Sequence, residues 1–184
     1  DHRDLHSFPT RRSSDLYPTE GVVEYDGQNI HQGKDAVLSA FRRRRIGFIF
    51  QKFHLIPVLT ARENIIMPLL LDHRQVDEGY FKQITQFLGL EHRLTHLPSE
   101  LSGGQQQRVA IARALIAKPD VIFADEPTGN LDSQSGREVM DLLASVHREF
   151  GKTIVVITHD DRIAQMAERK FSIVDGILSE VSRR

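Results

Sequence analysis

The chain has 184 residues, of which 40% are hydrophobic and 27% charged, and this balance excludes a disordered, collagen-like or coiled-coil protein. Its 24 Lys and Arg nearly cancel its 25 Asp and Glu, so its net charge gives no reason to expect a nucleic acid partner. The absence of cysteine excludes a disulfide framework, a zinc ribbon and a thiol nucleophile, and the longest apolar run, at 65–71, is too short to span a membrane.

Residues 1–16 (DHRDLHSFPTRRSSDL) show no apolar periodicity and have the composition of a linker. We expect this segment to be either disordered or foreign to the gene, as a sequencing-adaptor or assembly artefact would be. The remaining residues, 17–184, are patterned and are expected to form one domain.

Short apolar runs flank two Asp-Gly dipeptides, Asp26-Gly27 and Asp175-Gly176. Asp-Gly favours the tight turn of a two-residue hairpin, so both positions predict β-hairpins.

Two further apolar runs, DVIFAD at 120–125 and TIVVIT at 153–158, predict strands buried on both faces of a parallel sheet. Between them, Ser135 and Glu138 match a capping box, and apolar residues recur at helical spacing as far as Phe150. Strand, helix and strand in this order predict a right-handed parallel crossover, hence an α/β fold.

The stretch at 60–118 has mostly helical periodicity and contains breaks at Pro68, Gly89 and Pro98. It predicts a helical insertion within the α/β domain.

The sequence Leu101-Ser102-Gly103-Gly104-Gln105 opens a predicted helix. Free backbone N–H groups and the helix dipole favour a phosphate there, although a bare Ser-Gly-Gly is more often an ordinary helix cap.

The predicted strand 121–125 ends on Asp125 and is followed by Glu126. Open α/β sheets bind ligands at the carboxyl ends of their strands, where one carboxylate can hold Mg²⁺ and the other can polarise a water. Taken alone, such a pair is more often the start of a solvated loop.

Together these motifs resemble those of the nucleotide-binding subunits of ABC transporters, over about residues 17–181. The resemblance implies a P-loop NTPase-like ABC ATPase domain with a helical subdomain at about 60–118. The five motifs that carry it are the signature motif Leu101–Gln105, the Walker B carboxylates Asp125 and Glu126, the D-loop Gly129–Asp132, the Q-loop Gln51 and the switch His159.

The resemblance implies ATP and Mg²⁺ as ligands and assigns catalytic residues. Glu126 would act as general base, His159 would stabilise developing charge, Gln51 would sense metal and γ-phosphate, and Asp125 would hold Mg²⁺.

The family mechanism also requires a second ATP-binding subunit, because ATP is enclosed between two subunits of a homodimer. Ser102, Gly103, Gly104 and Gln105 would meet the γ-phosphate held by the partner, and Asp132 would link the two sites across the interface.

No Gly-x-x-x-x-Gly-Lys-Ser/Thr occurs in the sequence, and Gly151-Lys152-Thr153 precedes a predicted strand where a P-loop must follow one. By analogy the loop lysine would fall near Leu5, within residues 1–16. We therefore expect a chain that lacks its N-terminal strands and P-loop, binds ATP weakly or not at all, and is inactive alone.

The segments at 59–64 and 127–132 are similar to those of the lipoprotein-releasing, macrolide-export and cell-division group of bacterial ABC ATPases. This similarity implies transmembrane permease subunits that dock at residues 52–75, and a location at the cytoplasmic face of the inner membrane. For the arginine run 42–45, a solvated helix face is favoured over a contact with phosphates or lipid head groups.

Two other functions remain as alternatives. A DNA-repair or chromosome-type ABC ATPase typically carries a long insertion between the Q-loop and the signature motif, whereas only 50 residues separate Gln51 from Leu101. A non-catalytic regulatory module is favoured only if the P-loop is genuinely missing.

Overall fold

The computed structural model describes residues 20–30 and 35–181, which belong to two compact units that meet in sequence between Arg42 and Arg43. The predictions for residues 1–16 lie outside the described residues.

The first unit contains a two-stranded antiparallel hairpin, β1 (Glu24–Tyr25) and β2 (Gln28–Asn29). The two turn residues, Asp26 and Gly27, have φ angles of 49° and 74°, which is the left-handed pair that an Asp-Gly turn allows. This hairpin is therefore confirmed. Helix α1 (Asp35–Arg45) follows it and continues into the second unit.

The second unit is built on a parallel sheet of three strands, β3 (Ile46–Phe50), β4 (Val121–Asp125) and β5 (Thr153–Ile157), with β4 in the middle. Helix α5 (Ser133–Phe150) connects β4 to β5. The predicted strand–helix–strand unit with parallel strands is confirmed, and with it the α/β class.

Only one face of this sheet is buried, because the helices of the second unit pack on the side that carries Ile49 and Ile122, both with no exposed surface. On the opposite face, Phe48, Val155 and Ile157 are 42%, 39% and 54% exposed. The prediction that the strands at 120–125 and 153–158 are buried on both faces is thus wrong. Branched apolar residues on both sides of a strand favour burial of both faces. They do not determine whether another element packs against each face.

The helical region comprises α2 (Ala61–Leu71), α3 (Glu78–Phe87) and α4 (Gly103–Leu115), with two short 3₁₀ turns between α3 and α4 at Glu91–Arg93 and Pro98–Glu100. Their apolar faces join the sheet in one core.

The break predicted at Pro68 is wrong, because α2 continues through this residue to Leu71. A proline removes one hydrogen bond and crowds the preceding turn, yet α2 tolerates that loss because Ala61, Ile65, Ile66 and Leu69 are buried in the core. The breaks at Gly89, which has a φ of 64°, and at Pro98, which opens a 3₁₀ turn, are confirmed.

Helix α5 begins earlier than the sequence suggested. Its N-cap is Asp132, whose Oδ1 accepts hydrogen bonds from the backbone N–H groups of Gln134 and Ser135, both at 3.0 Å. The Ser135 hydroxyl donates to Asp132 Oδ2 at 2.6 Å, so the predicted capping box with Glu138 does not form. A charged cap accepts the orphan N–H groups at least as well as a serine.

Three residues of the arginine run, Arg43, Arg44 and Arg45, are exposed and form ion pairs. Arg44 Nε donates to Asp72 Oδ2 at 2.8 Å, and Arg45 Nη1 donates to Asp120 Oδ2 at 2.9 Å. The hydrogen bond from Arg44 lowers the pKa of Asp72. These arginines thereby pair with Asp72, the C-cap of α2, and with Asp120, the residue that precedes β4.

The chain continues from β5 into the short helix α6 (Asp161–Ala164) and ends, within the described residues, in an antiparallel hairpin of β6 (Lys170–Val174) and β7 (Ile177–Val181). The second predicted hairpin is confirmed, with Asp175 and Gly176 again in the left-handed region. Among the described helices, none combines the length and apolar character that crossing a membrane requires.

Candidate active site

Parallel register places several of the predicted site residues at one edge of the sheet. Phe50, Asp125 and Ile157 are aligned partners at the carboxyl ends of their strands. The chain therefore leaves β3 at Gln51 and β4 at Glu126 side by side, at the edge where open α/β sheets bind ligands.

Glu126 is held by the chain that follows the neighbouring strand. Its backbone N–H donates to Ile157 O at 2.9 Å, and its φ of 46° turns the side chain back toward β5. Its Oε1 accepts from the His159 backbone N–H at 3.0 Å and lies 2.5 Å from His159 Nδ1. Among the described residues, the partner of Oε2 is Thr158 Oγ1, which donates to it at the long distance of 3.4 Å.

The contact with Glu126 also favours the charged form of His159. The hydrogen bond to the carboxylate, reinforced by its negative charge, raises the pKa of His159 above its usual value. The imidazole is 90% exposed, whereas the Glu126 side chain is only 22% exposed. A solvent-facing histidine thus caps a mostly buried carboxylate.

Gln51 contacts the loop that follows Glu126. Its Nε2 donates to Asn130 Oδ1 at 3.4 Å, and a Cβ built on Gly129 would lie 2.5 Å from the same Nε2. Gln51 of the Q-loop is therefore in direct contact with the D-loop. This close approach is possible because Gly129 has no side chain.

The Q-loop backbone takes an unusual path after Gln51. Phe53 and His54 have φ angles of 56° and 48°, a left-handed pair of non-glycine residues that costs on the order of 1–2 kcal/mol each. Arg113 of α4 donates to both carbonyls, from Nη2 to Phe53 O at 2.6 Å and from Nη1 to His54 O at 2.5 Å.

The segment between the Q-loop and α2 is organised by Asn64, which is 1% exposed. Its Oδ1 accepts from the Ile56 backbone N–H at 2.7 Å, and its Nδ2 lies within 3.1 Å of the carbonyls of Ile56, Leu59 and Thr60. One side chain therefore fixes the turn that carries Val58, which is 78% exposed.

Ser102 caps α4 through a capping box. Its Oγ accepts from the Gln105 backbone N–H at 3.3 Å, and Gln105 Oε1 accepts from the Ser102 backbone N–H at 3.0 Å. Because the hydroxyl oxygen is the acceptor in this bond, its own hydrogen remains available to a ligand. The N–H groups of the first turn add further donors.

The signature motif lies beside the D-loop of the same chain. A Cβ on Gly103 would lie 3.2 Å from Leu131 Cδ2, and one on Gly104 would lie 3.9 Å from Ser135 Oγ. Asp132 lies between Leu131 and Ser135 in sequence. Its pKa is lowered, chiefly because its carboxylate accepts a hydrogen bond from the Ser135 hydroxyl.

Gln107 connects α4 to the turn after the Walker B strand. It has no exposed surface, and its Nε2 donates to Pro127 O at 2.6 Å. The residue before Pro127 is Glu126, so this bond fixes the backbone next to the carboxylate. Its Oε1 is buried and has no hydrogen-bond partner among the described residues, and an unpaired buried oxygen makes the burial of this amide less favourable.

Asp125 is exposed at the sheet edge, where a carboxylate oxygen is the type of ligand that Mg²⁺ prefers. Within residues 20–30 and 35–181, no three His, Asp or Glu side chains are grouped so as to hold a metal ion by themselves.

Comparison with known proteins decides the family. The family model described as "ABC transporter" matches residues 13–129, more than half of the chain. The chain belongs to the ABC transporter ATP-binding family. Members of this family are ATPases that couple ATP hydrolysis to transport.

Several curated ABC ATP-binding proteins resemble the chain. It is 47% identical over 161 residues to the lipoprotein-releasing system ATP-binding protein LolD of Geobacter metallireducens, covering 86% of this chain and 72% of that protein. It is 46% identical over 164 residues to the uncharacterized ABC transporter ATP-binding protein YbbA of Escherichia coli K12, covering 88% and 72%. These relatives lend no support to the DNA-repair or chromosome-type alternative.

A solved ABC cassette has the same fold. The dimeric structure of a post-hydrolysis state of the ATP-binding cassette MJ0796 bound to ADP and Pi aligns with a TM-score of 0.76 at 42% identity. The alignment covers 93% of this chain and 78% of that one. The fold is thus that of an ABC ATPase cassette, as the sequence predicted.

The structure brings four of the predicted residues together at the sheet edge, namely Gln51, Asp125, Glu126 and His159, while Ser102–Gln105 and Asp132 lie along α4 and the D-loop. Sequence reasoning missed Gln107 and Arg113. A polar residue on the apolar side of a helix was the available signal for Gln107, because Ile111 and Leu115 follow it at intervals of one helical turn. Arg113 gave no such signal, since its acceptors are carbonyls.

Proposed function

We propose that this chain serves as the ATP-binding subunit of a transporter for export or lipoprotein release, in a homodimer that drives a membrane permease. The single observation that carries the proposal is the contact of Glu126 with His159 at the carboxyl edge of the sheet, beside Gln51 and Asp125. The similarity to LolD supports the lipoprotein-release type.

The chemistry of the exposed groups fits a magnesium nucleotide. Asp125 presents a carboxylate and Gln51 presents an amide oxygen, while Ser102 and the first turn of α4 present hydroxyl and N–H donors. Asp125 and Gln51 would hold Mg²⁺, and Ser102, Gly103, Gly104 and Gln105 would meet the phosphates of a nucleotide bound by the partner. When bound, Mg²⁺ supplies charge neutralisation to the phosphate oxygens.

Glu126 would accept a proton from the attacking water at Oε2, the oxygen without a short hydrogen bond. Its other oxygen is fixed by the backbone and ring of His159, so the carboxylate is already oriented before substrate arrives. His159 would donate to the phosphoryl oxygens, because its raised pKa favours the protonated ring.

Asp132 would connect the two ATP sites of the dimer. Its carboxylate caps α5 within its own chain, and the D-loop that leads to it contacts both Gln51 and the signature glycines. A displacement of Gln51 or of the signature glycines would therefore be transmitted to the D-loop, which would face the partner subunit.

A permease would dock on residues 52–75, where Val58 is exposed on a turn that Asn64 holds in place. Such docking places the subunit at the cytoplasmic face of the inner membrane.

The chain as printed contains no phosphate-binding loop motif, so we propose that it binds ATP weakly or not at all and is inactive alone. Calorimetric titration with Mg-ATP measures this directly. Micromolar affinity would contradict the proposal.

A chimera tests the catalytic assignment. The part of the MJ0796 cassette that precedes the position aligned with Glu20 is joined to Glu20 of this chain. We expect the chimera to hydrolyse ATP as a dimer, and Glu126→Gln to lower turnover by about 10²–10⁴-fold while ATP binding and dimerisation persist.

The matched control is Glu168→Gln, at a glutamate whose side chain is 85% exposed, and it leaves turnover unchanged. Undiminished hydrolysis in the Glu126 variant would remove the assigned base.

A further inference from the structure

Arg113 lies on α4, the helix that begins in the signature motif and is called the signature helix below, and it contacts the backbone of the Q-loop. Its two terminal nitrogens donate to two successive carbonyls, at 2.6 Å to Phe53 O and 2.5 Å to His54 O. These acceptors are 60 and 59 residues away in sequence, so the contact is a tertiary tether.

The tethered backbone has a conformation that needs external support. Phe53 and His54 are both left-handed, although neither is a glycine, and their own N–H groups bond only within the loop, to Phe50 O and Lys52 O. A planar guanidinium presents N–H groups on two nitrogens to two acceptors in a fixed fork, whereas a lysine ammonium has its three N–H donors on one nitrogen. The geometry of the carbonyl pair therefore matches arginine specifically.

Burial makes the tether costly to lose. Arg113 is partly buried, and this burial lowers its pKa, so the two carbonyls offset the removal of its charge from water. A variant without the fork would leave both carbonyls without this partly buried donor.

The N-terminus of the same helix also lies near the Q-loop. A Cβ on Gly103 would lie 3.9 Å from Phe53 Cζ. Helix α4 thus begins after Ser102 and holds the backbone of the Q-loop through Arg113. A displacement of the signature motif would therefore be transmitted to the Q-loop.

We propose that Arg113 is a positioning residue that holds the Q-loop so that Gln51 lies against Gly129 and Asn130, and thereby couples the signature helix to the ATP site of its own chain. The consequence for catalysis rests on the proposed function, because that function assigns Gln51 its role toward nucleotide. The tether itself requires no nucleotide.

Hydrogen exchange and NMR on the full chain test the tether without any measurement of activity. In Arg113→Lys and Arg113→Gln we expect the Phe53 and His54 amides to exchange about tenfold faster or more, while the amides of α4 keep their protection. In the same variants we expect loss of the nuclear Overhauser contact between the Gln51 side-chain amide and the Gly129 α-protons.

The matched control is Arg108→Lys on the same helix. Arg108 donates to Leu88 O at 3.2 Å and lies 3.8 Å from Glu138, away from the Q-loop, so both readouts stay as in the parent chain.

Two results would overturn the inference. One is an unchanged Q-loop with the Gln51 contact intact in both Arg113 variants. The other is a uniform rise in hydrogen exchange across the second unit, which would mean that Arg113 has only a general structural role. If Arg113→Gln fails to fold, Arg113→Lys, which keeps the positive charge, distinguishes the two roles. Failure of the proposed function is distinguishable, because it appears as an inactive chimera with the tether intact.

Discussion

Gln51 occupies the space that a side chain on Gly129 would need, since a Cβ there would stand 2.5 Å from Nε2 and 2.9 Å from Cδ of Gln51. The Q-loop and the D-loop are therefore complementary in shape at this point.

Gly129→Ala should displace Gln51 while sparing the fold, because the crowded atoms belong to the end of a flexible side chain. We expect turnover of the ATPase chimera to fall by about 10²-fold, as for other small misplacements of a positioning group. Steady-state kinetics and the Gln51 side-chain amide resonances measure the two effects.

Gly136→Ala is the control for that change. Its Cβ would meet Thr128 Cβ at 3.4 Å, an ordinary contact, so activity and the Gln51 resonances should be unaffected. Equal loss of activity in both variants would show that Gln51 is not the cause.

Glu126→Gln should lower the pKa of His159, because the hydrogen bond and the charge of Glu126 raise it. The raised pKa means that the pair stabilises the fold at pH values below the usual histidine pKa of 6.5, and that this contribution is lost as pH rises through the folded value. Titration of the ring protons by NMR measures the shift.

Asp160→Asn provides the comparison, since the charge of Asp160 is the smallest of the influences that raise the pKa of His159. It should lower the His159 pKa less than Glu126→Gln does. The opposite order would contradict the assigned contact.

Gln107→Glu should destabilise the chain by at least about 2 kcal/mol at neutral pH, because it buries a carboxylate against the carbonyl of Pro127. Burial raises the pKa of such a carboxyl, so the loss should be small below the pKa of the unfolded chain and should grow as pH rises toward the folded value. Urea denaturation at several pH values measures the free energy of unfolding.

The neighbouring Gln106→Glu serves as control. Gln106 is only partly buried and donates to Leu101 O at 3.1 Å, so its replacement should cost less and depend less on pH. A flat pH profile for the Gln107 variant would refute the buried contact.

Gly47→Ala should destabilise the chain by roughly 1–3 kcal/mol, because the new methyl group would stand 2.8 Å from the backbone carbonyl of Ala114, which cannot rotate away. The matched change is Gly79→Ala, whose Cβ would lie 3.4 Å from Asp77 Oδ1. Thermal unfolding should show a lower midpoint only for the Gly47 variant, and equal midpoints would mean that β3 and α4 are not in close contact.

The parts of the fold that the sequence predicted depend on short-range signals. Asp26-Gly27 and Asp175-Gly176 predict the two hairpin turns. Runs of branched residues predict the strands that pair in the parallel sheet. The site residues could be predicted because Glu126 and His159 each follow such a strand.

The parts that it did not predict depend on packing between distant segments. The persistence of α2 beyond Pro68 and the exposure of Ile157 depend on what covers each surface, which no local pattern encodes. The tether of Arg113 to the Q-loop joins residues about 60 apart through backbone carbonyls, and every residue type has these.

The turn held by Asn64 has a thermodynamic consequence for any protein that binds there. Its backbone is ordered when the chain folds, so the entropy of fixing Val58 and its neighbours is already lost before an encounter. A partner therefore meets a preset surface, and its binding affinity need not be reduced by ordering that segment.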